Sequence, residues 1–192
     1  MISSASLEAV LSALGATLAE RGLAYEVVVV GGSALLLLGL TARPTRDVDV
    51  VAIRLDGDFR KPGPLPQMLL EAAADAARTF GLREDWLNAG PADLMDFGLP
   101  EGFADRLQAK TYGGLIVQVI GRADQIALKL YAAADHGRDS RHAQDLRSIE
   151  PTEWELLESG RWAMTHDPSP GFRSELVAVL SHMGIKDADR KL

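Results

Sequence analysis

Residues 27–50 have the sequence VVVVGGSALLLLGLTARPTRDVDV, and this stretch decides the fold. A wholly apolar, β-branched run leads into Gly31-Gly32-Ser33, and a second such run carries Asp47 and Asp49. The first run is typical of a strand buried on both faces. We therefore expect a buried strand, a glycine turn, a short buried helix over residues 33–40 and a second strand over residues 45–53.

The two aspartates of the second run predict a cation site. Side chains two residues apart on a strand point to the same face, with Cα atoms about 6.5 Å apart. At that separation two carboxylates repel each other by about 3 kcal/mol at an effective dielectric of about 20. Mg²⁺ would relieve this repulsion, because it prefers oxygen ligands and is usually held by one or two carboxylates plus substrate phosphates.

The glycine turn predicts a neighbouring phosphate site. Gly31 and Gly32 would let backbone N–H groups approach a phosphate closely, and the start of the following helix favours anions. The Ser33 hydroxyl adds one more donor. Adjacent strands would bring this turn close to Asp47 and Asp49.

The rest of the chain predicts an α/β front half and an all-helical back half. Apolar residues at helical spacing predict helices over residues 7–18 and 69–80, and the runs on either side of Gly113-Gly114 predict a β-hairpin. Residues 54–66, including Asp56-Gly57-Asp58, are expected to form a polar loop. From Ala123 onward every periodic segment is helical. One helix is expected over residues 140–149, and Pro151, Thr152 and Glu155 resemble the start of another.

Composition and charge limit the classes of function. The chain has 192 residues, a formal net charge of −7 and no cysteine, which argues against a general nucleic-acid coat and excludes disulfides and thiol chemistry. The first residues do not have the pattern of a signal peptide, and the apolar stretch near Leu35 is shorter than the ~20 residues that span a bilayer. We expect a cytoplasmic protein without a membrane partner.

The glycine turn and the aspartates together resemble a known superfamily. Gly31-Gly32-Ser33 followed by Asp47-Val48-Asp49 is similar to the glycine-serine and Asp-x-Asp motifs of the polymerase-β-like nucleotidyltransferases. The resemblance implies an α+β fold, in which a small mixed-sheet core is flanked by helices and followed by a C-terminal helical bundle. It also implies that the turn binds a nucleoside triphosphate and that both aspartates bind Mg²⁺ in catalysis.

A second motif resembles the AbiEii-like branch, which includes toxins of toxin-antitoxin systems. It comprises Asp124-Gln-Ile-Ala-Leu-Lys129-Leu and, later, His142-Ala-Gln-Asp145-Leu. The resemblance implies that Lys129 binds nucleotide and that Lys129 and Asp145 complete the catalytic set. It further implies transfer RNA or another RNA as acceptor, an antitoxin protein as partner, a core over residues 1–122 and a completing helical region over residues 123–192.

Several interpretations stay open on the sequence alone. Many relatives carry a third strand carboxylate, and the plausible counterpart here is Gln118, so a catalytically silent module that binds nucleotide or protein is the alternative function. A small-molecule acceptor is a further option. Lys129 could extend from a helix flank to solvent, and Asp145 could pair with Arg141 one turn away. Residues 86–88, Trp-Leu-Asn, resemble AbiEii-like sequences and could line the nucleotide pocket, although packing of Trp86 in the core is the simpler interpretation.

Overall fold

The computed structural model describes all 192 residues, and the chain divides into two compact units, Met1–Gly121 and Arg122–Leu192. The first unit is an α+β fold around a six-stranded mixed sheet, and the second is helical, so the predicted fold class is confirmed. None of the helices is both long and apolar enough to cross a membrane.

The first unit contains six strands and four helices, with two short 3₁₀ turns at Gly90–Asp93 and Phe103–Arg106. They are α1 (Ser4–Glu20), β1 (Tyr25–Val30), α2 (Gly31–Leu37), β2 (Val48–Leu55), β3 (Asp58–Arg60), α3 (Gln67–Phe80), β4 (Leu87–Asn88), α4 (Leu94–Phe97), β5 (Gln108–Tyr112) and β6 (Leu115–Val119).

The sheet has the strand order β3-β2-β1-β6-β5, and β4 also pairs with β2. Strand β1 lies at its centre, antiparallel to β2 and parallel to β6. Four consecutive valines, Val27 to Val30, are almost fully inaccessible to solvent, as expected for a strand covered on both faces. The predicted hairpin of β5 and β6 is present around Gly113-Gly114.

Three sequence expectations differ from the structure. Strand β2 begins at Val48 rather than at Thr45, because the backbone of Thr45 forms an isolated bridge with Ile2. Helix α2 begins at Gly31, so both glycines lie in its first turn. Residues 54–60 are not a loop, because Asp56 and Gly57 adopt positive φ angles of 53° and 89° and turn the chain into the β2–β3 hairpin.

The second unit consists of five helices: α5 (Arg122–His136), α6 (Arg141–Ile149), α7 (Glu153–His166), α8 (Pro170–His182) and α9 (Ala188–Lys191). Local sequence sets their starts. The Ser140 side chain caps α6, and Thr152 and Glu155 form the predicted capping box of α7. Arg122 donates to the carboxylate of Glu155 and to the carbonyls of Ile149 and Glu150. It therefore ties the end of α6 and the start of α7 to the start of α5.

Candidate active site

The backbone of the glycine turn lies against the carboxylate of Asp49. Val30, the last residue of β1, pairs with Asp49 of β2, so the chain enters α2 directly beside this side chain. A Cβ atom on Gly31 would be 2.9 Å from Oδ2 of Asp49, and Gly31 has a φ angle of +74°. Only glycine can adopt this positive φ angle without strain and also leave room for the nearby carboxylate oxygen. The turn and the aspartate therefore lie directly beside each other.

Asp47 precedes β2 and is held by its neighbour Thr45. The Thr45 hydroxyl lies 3.2 Å from the Asp47 carbonyl oxygen and 3.4 Å from Oδ1 of its carboxylate. A Cβ atom on Gly32 would lie 3.0 Å from the same hydroxyl. Thr45 thus links the second glycine of the turn to Asp47. Both aspartates are partly exposed.

Asn88 belongs to this site, although the sequence indicated it only as part of residues 86–88 and did not predict its contact with Asp49. Strand β4 pairs in parallel with β2, and its register places Asn88 beside Asp49. The Asn88 side chain donates from Nδ2 to Oδ1 of Asp49 at 3.3 Å, while its own Oδ1 accepts from the backbone N–H of Gly90 at 2.8 Å. The available signal was weak, because β4 is only two residues long and has no period of its own.

Gln118, the position considered for a third carboxylate, is not beside the aspartates. Gln118 lies in β6 and pairs with Val28 of β1. Asp49 lies in β2, which flanks β1 on the other side. Two strand spacings therefore separate them, about 10 Å. The Gln118 amide instead donates to Glu26 at 2.7 Å, and Glu26 also pairs with Arg54 at 3.1 Å. The two residues paired with Asp49 on adjacent strands are Val30 and Asn88, and of these only Asn88 is polar.

The Ser33 side chain points into the protein. Ser33 is fully buried, and its hydroxyl lies 3.3 Å from the Val30 carbonyl oxygen, to which it donates. No side chain caps the start of α2, where the N–H groups of the first turn have no partner within the helix. The backbone of the turn is thus better placed to meet an anion than the Ser33 hydroxyl.

The donor set at this site suits a magnesium ion. Asp47 and Asp49 supply carboxylate oxygens, the ligands that Mg²⁺ prefers. A Cβ atom at residue 31 would crowd Oδ2 of Asp49, so glycine at this position keeps a side chain away from that oxygen. No group of three or more His, Cys, Asp or Glu side chains is arranged to hold a metal ion. Asp47 and Asp49 would supply two carboxylates, as is usual for Mg²⁺ that also binds substrate phosphates.

Trp86 anchors the strand that carries Asn88. As expected, its side chain is buried, and its indole N–H donates to the carbonyl of Ala73 in α3 at 2.9 Å. The Trp86 carbonyl accepts from the backbone N–H of Val48, the residue between the two aspartates, at 2.5 Å. This residue therefore fixes β4 to α3 and to the start of β2.

Lys129 and Asp145 meet within the second unit. The Lys129 ammonium lies 2.7 Å from Oδ2 of Asp145, and both side chains are buried. Lys129 therefore does not extend to solvent, and its partner is Asp145. Breaking such a buried pair by removing one member typically costs about 3–5 kcal/mol. The pair is a fixed part of the α5–α6 packing.

His142 lies close to this pair and stacks on His136, with ring centroids 5.3 Å apart. Burial, reinforced by the positive charges of Lys129 and Arg141, lowers the pKa of His142 from 6.5 to about 4. Its Nδ1 atom is buried without a hydrogen-bond partner. The imidazole is accordingly neutral at pH 7.

Comparison with known families gives the class of the protein, a nucleotidyltransferase. Residues 5–167 match the family described as a nucleotidyltransferase of unknown function (DUF6036). The match covers most of the chain, and the protein belongs to this family. No curated protein and no solved structure matches the chain.

Proposed function

We propose that this protein is a Mg²⁺-dependent transferase that moves a nucleoside monophosphate from a nucleoside triphosphate to an acceptor hydroxyl. The observation that carries the proposal is the contact of the Gly31 backbone with the Asp49 carboxylate. It joins an anion-binding element to a cation-binding one. The DUF6036 family supports the general class.

In this proposal Asp47 and Asp49 hold Mg²⁺, which when bound neutralises phosphate charge and activates an oxygen nucleophile. The backbone of Gly31, Gly32 and Ser33 binds the terminal phosphates. The resemblance to AbiEii-like transferases implies that Lys129 contacts the triphosphate and that Asp145 orients it or accepts the proton of the acceptor. These roles require the buried ion pair of the two residues to open. The acceptor oxygen bonds to the α-phosphorus, the bond to the bridging oxygen breaks, and pyrophosphate leaves with its electron pair.

We further propose an RNA acceptor, transfer RNA among the candidates, and a toxin-antitoxin role with an antitoxin partner. The second motif, with its AbiEii-like spacing, supports the role. Arg138 and Arg141 precede and begin α6, and both are largely exposed, so they could contact acceptor phosphates. The acceptor classes to be compared are RNA, protein and small molecules.

The test is label transfer from each of the four α-labelled nucleoside triphosphates, with Mg²⁺ and total RNA, protein or small molecules as acceptor. We expect the wild-type protein to label RNA and Asp49→Asn to lose at least about 100-fold of the rate, because the variant keeps the shape of the side chain and removes its charge. Asp58→Asn, in the exposed Asp-x-Asp of the β2–β3 turn, is the matched control and should keep full activity.

The rival function is a silent module that binds nucleotide or protein. The observation in its favour is that an amide, not an acid, lies beside Asp49. Triphosphate binding without transfer to any acceptor class would establish that function instead. Equal transfer by the wild type and Asp49→Asn would reject the proposed site.

A further inference from the structure

Asn88 is held at both ends of its amide group. Its Oδ1 accepts from the N–H of Gly90, and this contact fixes which end is oxygen and which is nitrogen. Its Nδ2 then faces Oδ1 of Asp49. A Cβ atom on Gly90 would approach the amide oxygen to 2.9 Å, so the turn that follows β4 is fitted to this side chain.

The two oxygens of Asp49 consequently have different surroundings. Oδ1 lies 3.3 Å from the amide of Asn88, and Oδ2 faces the glycine backbone at Gly31. A carboxylate fixed in this way cannot rotate without losing a hydrogen bond. A second residue that orients a metal-binding carboxylate typically changes metal affinity 10- to 100-fold when it is removed.

We propose that Asn88 is a positioning residue that holds Oδ1 of Asp49, presents Oδ2 to a divalent cation, and keeps the number of protein carboxylates at two. The inference rests on the proposed function and names a residue that this function does not yet include. In this proposal the side chains of the protein form one divalent-cation site and not two.

The chemistry of the amide explains why asparagine suits this position. A carboxylate beside Asp49 would repel it and could not donate to Oδ1, whereas the Asn88 amide donates without adding charge. A third acid at the same place would complete a set of three carboxylates able to share more than one cation. The identity of residue 88 would therefore set the cation stoichiometry.

The experiment is a titration with Mn²⁺ in place of Mg²⁺, in which electron paramagnetic resonance measures the free ion. We expect one Mn²⁺ per wild-type chain, about tenfold weaker binding by Asn88→Ala, and tighter binding or a second ion in Asn88→Asp. Asn88→Asp keeps the acceptor for the Gly90 N–H, so it tests the site even where Asn88→Ala fails to fold. The matched control is Gln118→Ala, which should bind Mn²⁺ as the wild type does.

Two results would overturn the inference and are distinguishable. Unchanged Mn²⁺ affinity in folded Asn88→Ala, or unchanged affinity and stoichiometry in Asn88→Asp, removes the role of Asn88 while Asp49→Asn still abolishes binding. If the wild type and Asp49→Asn bind Mn²⁺ equally or not at all, the proposed metal site itself fails, and the role of Asn88 fails with it.

Discussion

His142 is a single side chain whose ionisation should set the stability of the second unit in mildly acidic solution. Its pKa of about 4 in the folded state lies below the ~6.5 of an exposed histidine. Lys129, Arg141 and His136 all oppose its protonation, and Asp145 favours it. Between pH 4 and pH 6.5, His142 is therefore protonated in the unfolded chain and neutral in the folded chain.

Stability should accordingly fall as the pH drops from about 6.5 towards 4, and should not depend on His142 above pH 7. Because the ring is only about half buried, we expect a loss of roughly 1–2 kcal/mol. Urea unfolding at pH 7.5 and pH 4.5 measures it, and His142→Gln should remove this component. An equal pH dependence in His142→Gln would contradict the assignment.

At the scale of residues, spacing predicted some positions of the site and not others. The proximity of Gly31 and Asp49 was predictable from the sequence, because a turn that follows one strand lies close to an acid on the adjacent, paired strand. The contact of Asn88 with Asp49 was not predictable, since it joins residues 39 apart in sequence through a strand of only two residues. Whether the Ser33 hydroxyl points inward or outward depends on the first turn of α2, which the sequence does not specify.

Among the elements, the closest approach is between α1 and the β5–β6 turn. The N–H of Gly114 donates to the Gly15 carbonyl at 2.8 Å, and a Cβ atom on Gly15 would lie 1.5 Å from the carbonyl oxygen of Tyr112. Backbone meets backbone here, without side chains in between. Nearby, Glu8 of α1 accepts from both Tyr112 and Lys110, which strengthens the same contact.

Gly15→Ala should therefore separate α1 from the hairpin and lower the free energy of unfolding by about 3 kcal/mol or more. The matched control is Gly171→Ala in the first turn of α8, where an added Cβ atom would meet nothing within 4 Å. That substitution should be neutral or stabilise by up to about 1 kcal/mol. Urea unfolding compares the two, and similar stabilities would show that α1 can shift freely.

The elements themselves were more predictable than their contacts. Capping residues and helical periodicity located α6 and α7 closely, because these signals are local. The Gly113-Gly114 pair indicated a hairpin, although the tight fit against α1 is a long-range reason for the glycines. The β2–β3 hairpin was missed despite its Asp56-Gly57 turn, because the prolines that follow favoured a loop.

For the whole molecule, a ligand that binds only the folded protein should raise the free energy of unfolding measurably. Mg²⁺ with a non-hydrolysable triphosphate at about 100 times its dissociation constant should add about 2.7 kcal/mol. Thermal unfolding with and without both ligands measures this shift. Asp49→Asn should lose it and Asp58→Asn should keep it; the same shift in both variants would place the ligand elsewhere.

The burial of Trp86 has an optical consequence. Of the three tryptophans, Trp86 alone belongs to the first unit, and it is 1% exposed whereas Trp154 is 70% exposed. Its indole is therefore shielded from water, and its carbonyl is bonded to the backbone between the two aspartates. With Trp154 and Trp162 replaced by phenylalanine, Trp86 becomes the single tryptophan and is attached to the site, so its emission can follow ligand binding without a label.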